Sequence, residues 1–295
     1  MAIVNCNDIC CLIITYNPDE RLFELINNIS NQVNKIIIVD NNSSTPNLND
    51  LITSKKDDNI IVLQNKENLG IAKALNQGIL WANTMKFKWV LTFDQDSNPF
   101  NNIIDLFTIV YNLYPLKSKI GAIGVNYPEK TTGGFFKYKD TKLYKEKDYL
   151  ITSGCFLSVR SFTEIGGFRE DFFIDNVDLE YSLRLKKNRM VSLITKEFGM
   201  NHRVGTPKRK EILGLNFSSS NHNETRRYYM ARNNILLTRE YFLRFPYFIL
   251  KTNFFFVVSL FQILLVDDNM KAKIKATIRG IKDGIIYSSK FKKLT

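Results

Sequence analysis

The sequence predicts an α/β domain in which helices cover a mainly parallel sheet, because short apolar runs alternate with helical patterns over the first hundred residues. The runs typical of buried strands are residues 9–14, 36–39, 60–63 and 89–93. The helical patterns between them lie at 18–29 and 71–85. In sheets of this kind ligands bind beyond the carboxyl ends of the strands. The residues that follow each run are therefore the first place to look for a site.

Composition limits the classes of partner. The chain has 295 residues and a formal net charge of +12, so it can bury a catalytic core and attract a polyanion such as nucleic acid, an anionic membrane or a phosphate-rich substrate. The apolar run at 9–14 is too short for the hydrophobic region of a signal peptide, which favours a core strand. The four cysteines include no Cys-x-x-Cys pair, which indicates buried, reduced thiols in the cytoplasm.

Polar residues follow all four predicted strands. They are Thr15, Tyr16 and Asn17 after the first, Asp40 and 41–44 after the second, 65–70 after the third, and Asp94, Gln95 and Asp96 after the fourth. Residues of these types also form ordinary turns, and for any single loop that explanation is as good as a binding role. Because parallel strands end at one edge of a sheet, the four loops together predict one crevice.

Asp94-Gln95-Asp96 is a candidate metal site. Two carboxylates at a strand end can hold a divalent cation, Mg²⁺ or Mn²⁺, that bridges phosphate oxygens of a nucleotide. His202 is a candidate further ligand, although a lone histidine is more often structural. Phosphatases of the haloacid dehalogenase type also place Asp-x-Asp after an apolar strand, but near the start of the chain. Three strand-loop units precede Asp94 here, which argues against that alternative.

A second acidic group lies at 172–181, where Asp175, Asp178 and Glu180 open a predicted amphipathic helix. Acids in a first helical turn can simply interact with the helix dipole. Paired acids beside a metal are also what general base catalysis requires, so Asp175 and Asp178 are candidate bases.

The C-terminal region differs in character from the rest of the chain. Residues 252–266 carry no charge, and their 15 residues fall short of the ~20 needed to span a bilayer. With its Phe-rich composition and the basic tail at 271–295, this region predicts a helix lying on an anionic membrane. A buried helix with a solvated basic tail is the alternative. A non-enzymatic scaffold that binds polyanions would explain the charge but not the acids at strand ends.

Six segments, taken in order, resemble inverting family 2 glycosyltransferases of the GT-A fold, and particularly the rhamnosyltransferases of bacterial surface polysaccharide synthesis. They are residues 13–18, 39–43, 68–78, 94–96, 174–181 and 226–229. The resemblance implies a GT-A domain at 1–210, which is an α/β fold with a Rossmann-like mixed sheet, and a helical, basic, membrane-associating region at 211–295. Residues 1–100 would form the nucleotide-sugar half and 101–210 the acceptor and catalytic half.

The resemblance also implies roles for individual residues. The implied donor-binding residues are Thr15, Tyr16, Asn17 and Asp40 around the nucleoside, Asn68, Gly70 and Lys73 near the ribose and diphosphate, and Asp94, Gln95, Arg203 and Arg226. Asp94, Asp96 and His202 would hold the divalent cation. Asp178 would be the base, with Asp175 in reserve because many relatives have two adjacent acids at this position.

The reaction implied is transfer of L-rhamnose from a dTDP-activated donor to a glycan on a polyprenyl diphosphate, in O-antigen, capsule or cell-wall synthesis. A UDP-sugar donor is an alternative. The expected location is the cytoplasmic face of the cell membrane, in peripheral association with anionic lipid and without nucleic acid as a partner. Whether copies of the chain form a homo-oligomer is left open.

Overall fold

The computed structural model describes residues 5–44, 59–128, 142–201, 208–212 and 214–287. They divide into two units: residues 5–170 with 181–201, and residues 171–180 with 208–287. The acidic segment at 171–180 thus groups with the C-terminal residues. The boundary at residue 210 expected from the sequence stays a prediction.

The first unit is built on an eight-stranded sheet. In chain order its strands and those of a small ribbon are β1 (Ile9–Thr15), β2 (Lys35–Asp40), β3 (Ile60–Gln64), β4 (Trp89–Asp94), β5 (Asn98–Pro99), β6 (Ile120–Asn126), β7 (Tyr144–Lys147), β8 (Cys155–Ser158), β9 (Val191–Phe198) and β10 (Met200–Asn201). The order across the sheet is β3-β2-β1-β4-β8-β6-β9-β7, and β5 pairs with β10 separately.

The four predicted strands are confirmed and lie side by side in parallel. The second half of the sheet departs from the parallel pattern, because β8 runs antiparallel to both β4 and β6, and β7 runs antiparallel to β9. The expectation of a mainly parallel sheet therefore holds for the first half only, and the whole sheet is mixed.

Helices follow most of these strands. They are α1 (Arg21–Ser30), α2 (Ile71–Thr84), α3 (Ile103–Leu113), α4 (Val159–Ile165) and α5 (Val177–Lys187). Helix α1 starts three residues later than predicted, since Asn17 before Pro18 has a φ of 49° and the chain is still turning there. Its apolar side chains Leu22, Leu25 and Ile29 join the buried core beneath the sheet.

The second unit contains a hairpin and three helices. The hairpin is β11 (Lys208–Ile212) and β12 (Leu215–Ser219), and the helices are α6 (Glu224–Tyr241), α7 (Pro246–Leu265) and α8 (Met270–Ile286). Asn223 caps α6 by accepting a hydrogen bond from the Arg226 N–H, and Pro246 opens α7.

The C-terminal helices change two expectations. Helix α7 has 20 residues and a mean hydropathy of 1.9, which makes it long and apolar enough to cross a membrane, so length does not exclude a span. The uncharged run at 252–266 is shorter than the helix because Lys251 lies in the second turn of α7. The basic tail is helical as far as Ile286 rather than merely solvated, and Lys273 in it is buried.

Three of the four cysteines are buried, and all four are free. Burial raises the pKa of the Cys10 and Cys11 thiols well above their ordinary values, which keeps them protonated and unreactive. Cys6 is exposed, contrary to the expectation of buried thiols, because it precedes the core strand instead of lying within it.

Candidate functional site

The carboxyl ends of the parallel strands meet at one edge of the sheet. In the strand pairing Thr15 lies opposite Asp40, Ile14 opposite Asp94, and Asp40 opposite Gln64. The loops that follow β1, β2, β3 and β4 therefore start side by side. This is the arrangement of loops on which the prediction of one crevice depends.

Asp40 organises two of these loops. Its Oδ1 accepts a hydrogen bond from Thr15 Oγ1 at 2.8 Å, and its Oδ2 accepts one from the Ser43 N–H at 2.9 Å. The Ser43 hydroxyl in turn accepts from the Asn17 N–H at 2.8 Å, and Asn17 Oδ1 accepts from the Ser44 N–H at 2.8 Å. Thr15 and Asp40 are fully buried, so their polar groups act on the loops themselves.

Gln95 ties the loop after β4 to the loop after β1. Its Oε1 accepts from the Tyr16 N–H at 2.8 Å, and its Nε2 donates to the Tyr16 carbonyl at 3.2 Å. The backbone of Tyr16 is held in this way while the residue stays 51% exposed. An exposed aromatic ring on a fixed backbone is suited to stacking against a planar ligand.

The two aspartates of the Asp-x-Asp motif make different contacts. The Asp94 N–H donates to Ser153 Oγ at 3.4 Å, and Asp96 Oδ2 lies 3.5 Å from a guanidinium nitrogen of Arg21. Arg21 interacts more closely with Asp19, and its hydrogen bond lowers the pKa of that carboxyl. Asp96 is therefore only weakly engaged by Arg21.

Within the described ranges no group of three or more His, Cys, Asp or Glu residues is placed to hold a metal ion. Two carboxylates nevertheless fit Mg²⁺, because that ion commonly takes one or two carboxylates and completes its coordination with substrate phosphates and water. The predicted third ligand, His202, and the predicted cation Arg203 lie outside the described residues.

The start of α2 has features of a phosphate site. Gly70 precedes the helix with a φ of 83°, and Asn68 Oδ1 accepts from its N–H at 3.0 Å. No side chain among the described residues caps α2, and uncapped N–H groups at a helix start favour anions. Lys73 lies in the first turn, with its Nζ 2.7 Å from Glu170 Oε2.

Several contacts around the site join residues that lie far apart in the sequence. Asn41 donates to the Gly70 carbonyl at 3.2 Å and accepts from Asn65, which joins the loops after β2 and β3. Glu170 accepts from both Lys73 and Asn76 across more than 90 sequence positions. The polarity of 41–44 and 65–70 is a usable signal for Asn41 and Asn65, whereas no local pattern marks Glu170 or Arg21.

The two candidate bases lie in the second unit. Asp175 is bound by Arg226, whose Nε is 3.1 Å from Oδ2 and whose terminal nitrogen binds Oδ1. Asp178 lies in the first turn of α5 and accepts from the Leu179 N–H at 2.8 Å. Both oxygens of Asp175 are thus committed to one guanidinium.

A cavity of about 570 Å³ lies at the opposite edge of the sheet. It is lined by residues at the amino end of β4 and β6, including Trp89, Lys117 and Ile120. This cavity lies away from the loops at the carboxyl ends of the strands. Ligands in open α/β sheets bind at those ends, which favours the loops as the candidate site.

Solved structures share this fold. The mannosyltransferase PcManGT from Pyrobaculum calidifontis, in complex with GDP-Man and Mn²⁺, matches with a TM-score of 0.56 and 13% identity, over 96% of this chain and 76% of that one. GalNAc-T7 with UDP, GalNAc and Mn²⁺ matches with a TM-score of 0.56 and 12% identity; 66% of this chain is covered, but only 42% of that one. At such identities the likeness concerns the fold alone, and the fold is the GT-A fold of glycosyltransferases.

Sequence comparison adds a family resemblance within that class. Residues 10–104 match the model of glycosyl transferase family 2. Over 258 residues the chain is 29% identical to the dTDP-rhamnosyl transferase RfbF of Shigella flexneri, which covers 79% of this chain and 81% of that protein. The chain is therefore a glycosyltransferase that resembles family 2 over residues 10–104 and a rhamnosyltransferase over most of its length. These comparisons favour a glycosyltransferase over the phosphatase and scaffold alternatives.

Proposed function

We propose that the chain is an inverting rhamnosyltransferase that moves L-rhamnose from a dTDP donor to a lipid-linked glycan in bacterial surface polysaccharide synthesis. One observation carries the proposal. Thr15, Asp40 and Asp94 are the last residues of three neighbouring parallel strands, and they lie at the same edge of the sheet. The similarity to a dTDP-rhamnosyl transferase supports the sugar and the nucleotide. The lipid-linked acceptor is supported by the sequence resemblance and by the apolar helix α7.

The donor binds across the loops of this edge. The nucleoside packs against Tyr16 and Asn17, while the buried Thr15 and Asp40 act by fixing the two loops. Gln95 holds Tyr16 in place through its backbone.

The diphosphate lies at the start of α2. Asn68 and Gly70 shape the turn that presents the first N–H groups of the helix, and these groups bind phosphate oxygens. Lys73 adds a positive charge that Glu170 orients.

Asp94 and Asp96 would hold a divalent cation, with His202 as a candidate third ligand. Two of the similar structures, PcManGT with GDP-Man and GalNAc-T7 with UDP, also contain Mn²⁺, which supports this cofactor. A bound cation would neutralise the charge that develops on the diphosphate as it leaves. Arg203 would add to this effect; Arg226 is held by Asp175, so we assign it first to orienting that carboxylate.

Asp178 is the proposed base. The acceptor hydroxyl gives its proton to the Asp178 carboxylate while its oxygen bonds to the anomeric carbon. The bond from that carbon to the diphosphate breaks on the opposite face, and its electron pair leaves with dTDP. The configuration inverts without a covalent enzyme intermediate. Asp175 suits this role less well, because proton uptake there would remove its charge-assisted pair with Arg226.

Titration calorimetry with nucleotide sugars tests the donor. With Mg²⁺ or Mn²⁺ present, dTDP-L-rhamnose should bind more tightly than UDP- and GDP-sugars, and a chelator should weaken its binding. Asp96→Asn should lose the metal-dependent part of the affinity, whereas Asp105→Asn, an exposed carboxylate on α3, should bind as the wild type does. Tightest binding of a UDP-sugar would favour the alternative donor, and no binding of any nucleotide sugar would contradict the proposal.

We also propose that the protein associates peripherally with anionic membranes through α7. Large apolar side chains, 47–81% exposed, recur along one face of this helix at spacings of three and four. They are Tyr247, Leu250, Phe254, Val257, Phe261 and Leu264. Lys251 is the only charged residue in the helix, and α8 adds the exposed Lys271, Lys275 and Lys282. Apolar side chains beside cations are suited to the head-group region of anionic lipid.

The other face of α7 argues for a surface position over a span. Ile249 and Ile263 are buried, and Asn253 accepts from Asn234 of α6 at 2.7 Å. These contacts tie the helix to the unit through residues near both of its ends. A helix held in this way can present one face to lipid, as interfacial helices do.

Flotation with vesicles tests the association. The wild type should float with phosphatidylglycerol vesicles and much less with phosphatidylcholine vesicles. Phe254→Ser with Phe261→Ser should abolish flotation, while Ile109→Ser, an exposed apolar residue of the first unit, should not. Flotation of the double variant at the wild-type level would contradict the assignment to α7.

A further inference from the structure

The segment that leads into α5 has an unusual backbone. Phe173, Asp175 and Asn176 have φ values of 59°, 63° and 60°, in the left-handed region that side chains with a Cβ disfavour. The Ile174 N–H donates to the Phe172 carbonyl at 2.6 Å and closes a three-residue turn around Phe173. Such a conformation persists only where the surrounding structure holds it.

Asn233 of α6 holds this segment. Its side chain is fully buried, and its Nδ2 lies 2.9 Å from both the Phe172 and the Ile174 carbonyl oxygens. The same nitrogen lies 2.8 Å from the Asp175 carbonyl oxygen. One amide nitrogen therefore contacts three carbonyl oxygens, which the turns of the segment bring close together. Loss of the amide would remove this shared donor from all three carbonyls.

Arg232 fixes which way the Asn233 amide faces. Its Nε and a terminal nitrogen donate to Asn233 Oδ1 at 3.2 and 3.0 Å, and it also donates to the Asp171 carbonyl. The guanidinium lies over the Tyr229 ring, 4.8 Å from its centroid. Because the amide oxygen faces the cation, the amide nitrogen must face the three carbonyls.

Two further contacts bind the same segment to α6. Arg226 pairs with the Asp175 carboxylate through two nitrogens, and the Phe173 ring stacks on Tyr229 with centroids 4.9 Å apart. Helix α5 then begins directly after Asn176, whose carbonyl accepts from the Glu180 N–H at 3.0 Å. The held segment thus determines where the first turn of α5, with Asp178, starts.

We infer that Asn233 is a positioning residue for sugar transfer, which holds residues 172–176 so that Asp178 is presented in the first turn of α5. The inference rests on the proposed function, in which Asp178 is the base. Asn233 bonds to backbone carbonyls, so its loss displaces the base without removing it. A displacement of about 1 Å is enough to lower a catalysed rate by ~10²-fold.

Asn233→Ala tests the inference, with Asn234→Ala as its matched control. Asn234 is the next residue of α6 and is also buried, but its amide donates to Asn253 on α7. We expect Asn233→Ala to lower kcat by ~10²-fold while the KM for dTDP-L-rhamnose changes by less than about threefold. Asn234→Ala should keep a kcat close to that of the wild type.

Hydrogen exchange gives a readout that does not depend on activity. The amides of residues 173–180 should exchange faster in Asn233→Ala than in Asn234→Ala, since only the first variant frees the segment. Asn233→Asp, which keeps an acceptor for Arg232 but lacks the donor, should show the same loss of kcat. Where Asn233→Ala fails to fold, Asn233→Asp and Arg232→Lys take its place in the same comparison.

Asp178→Asn, measured alongside, separates this inference from the proposed function. Wild-type kcat in Asp178→Asn would show that the proposed base is wrong. An inactive Asp178→Asn, together with equal kcat values in the folded Asn233 and Asn234 variants, would overturn the role of Asn233 and leave the base in place.

Discussion

Single polar side chains at the sheet edge first act on the protein itself. Asp40 uses both carboxylate oxygens to hold Thr15 and Ser43, and Gln95 uses both ends of its amide to hold the backbone of Tyr16. A ligand would therefore meet loops whose shape is already set. Pre-organised loops reduce the entropy that binding must overcome.

Gln95→Ala should weaken donor binding without unfolding the protein. The change removes two hydrogen bonds between the loops after β1 and β4, which together contribute about 2 kcal/mol, so we expect the Kd of dTDP-L-rhamnose to rise by up to about 30-fold. Titration calorimetry measures the Kd, and circular dichroism checks that the variant is folded. Asn101→Ala, an exposed turn residue before α3, serves as the control. An unchanged Kd in Gln95→Ala would show that the clamp on Tyr16 has no part in binding.

The local pattern of the sequence predicts the elements that carry the site, but not the contacts that link them. Apolar runs locate β1 to β4, and parallel pairing then brings their polar loops together. No periodic pattern in the sequence indicates that β8 inserts antiparallel to β4. Nor does any pattern indicate the hydrogen bond from Asn233 to the Asp175 carbonyl, 58 positions away. Such contacts depend on tertiary packing. In a single sequence their residues are only isolated polar positions, so their pairing cannot be predicted.

At the scale of elements, α6 and α8 approach closely because two glycines face α6. A Cβ on Gly280 would lie 2.3 Å from the Tyr228 carbonyl oxygen, and one on Gly284 would lie 2.8 Å from Ile235 Cβ. Backbone atoms of α6 cannot move aside as a flexible side chain can. The glycines therefore set the distance between the two helices.

Gly280→Ala should destabilise the second unit. Helix propensity alone would favour alanine by about 1 kcal/mol, but overpacking against backbone costs about 1–3 kcal/mol, and the packing term should be the larger. Urea denaturation measures the free energy of unfolding, with Lys282→Ala, exposed on the same helix, as the control. A gain in stability would contradict the close approach of α6 and α8.

At the scale of the whole molecule, stability should fall in mild acid. Burial, with the nearby Arg226 charge, lowers the pKa of His222 to about 4 from its ordinary value of 6.5. Between these values the unfolded chain binds more protons than the folded one, so the free energy of unfolding rises with pH through this window. The Asp267 carboxyl behaves differently. Burial raises its pKa, but hydrogen bonds from Ser219, Arg227 and Lys273 outweigh burial and lower the pKa overall, so this carboxylate is protonated only at a lower pH.

Replacing His222 should flatten this dependence. His222→Asn removes the group that gains a proton on unfolding, so the slope of the free energy of unfolding between pH 4.5 and 6.5 should decrease. Chemical denaturation across this range measures the slope. The same slope in wild type and variant would assign the acid sensitivity to other groups.

The claim that the donor binds where β1, β2, β3 and β4 end is tested most directly by hydrogen exchange with and without dTDP-L-rhamnose and Mg²⁺. We predict that the donor slows exchange in the loops at 15–17, 40–44, 68–73 and 94–96, whose main chains the clustered side chains hold. Residues at the opposite edge, around Trp89 and Lys117, should exchange unchanged. Slower exchange at that opposite edge, with no change in the four loops, would contradict the account.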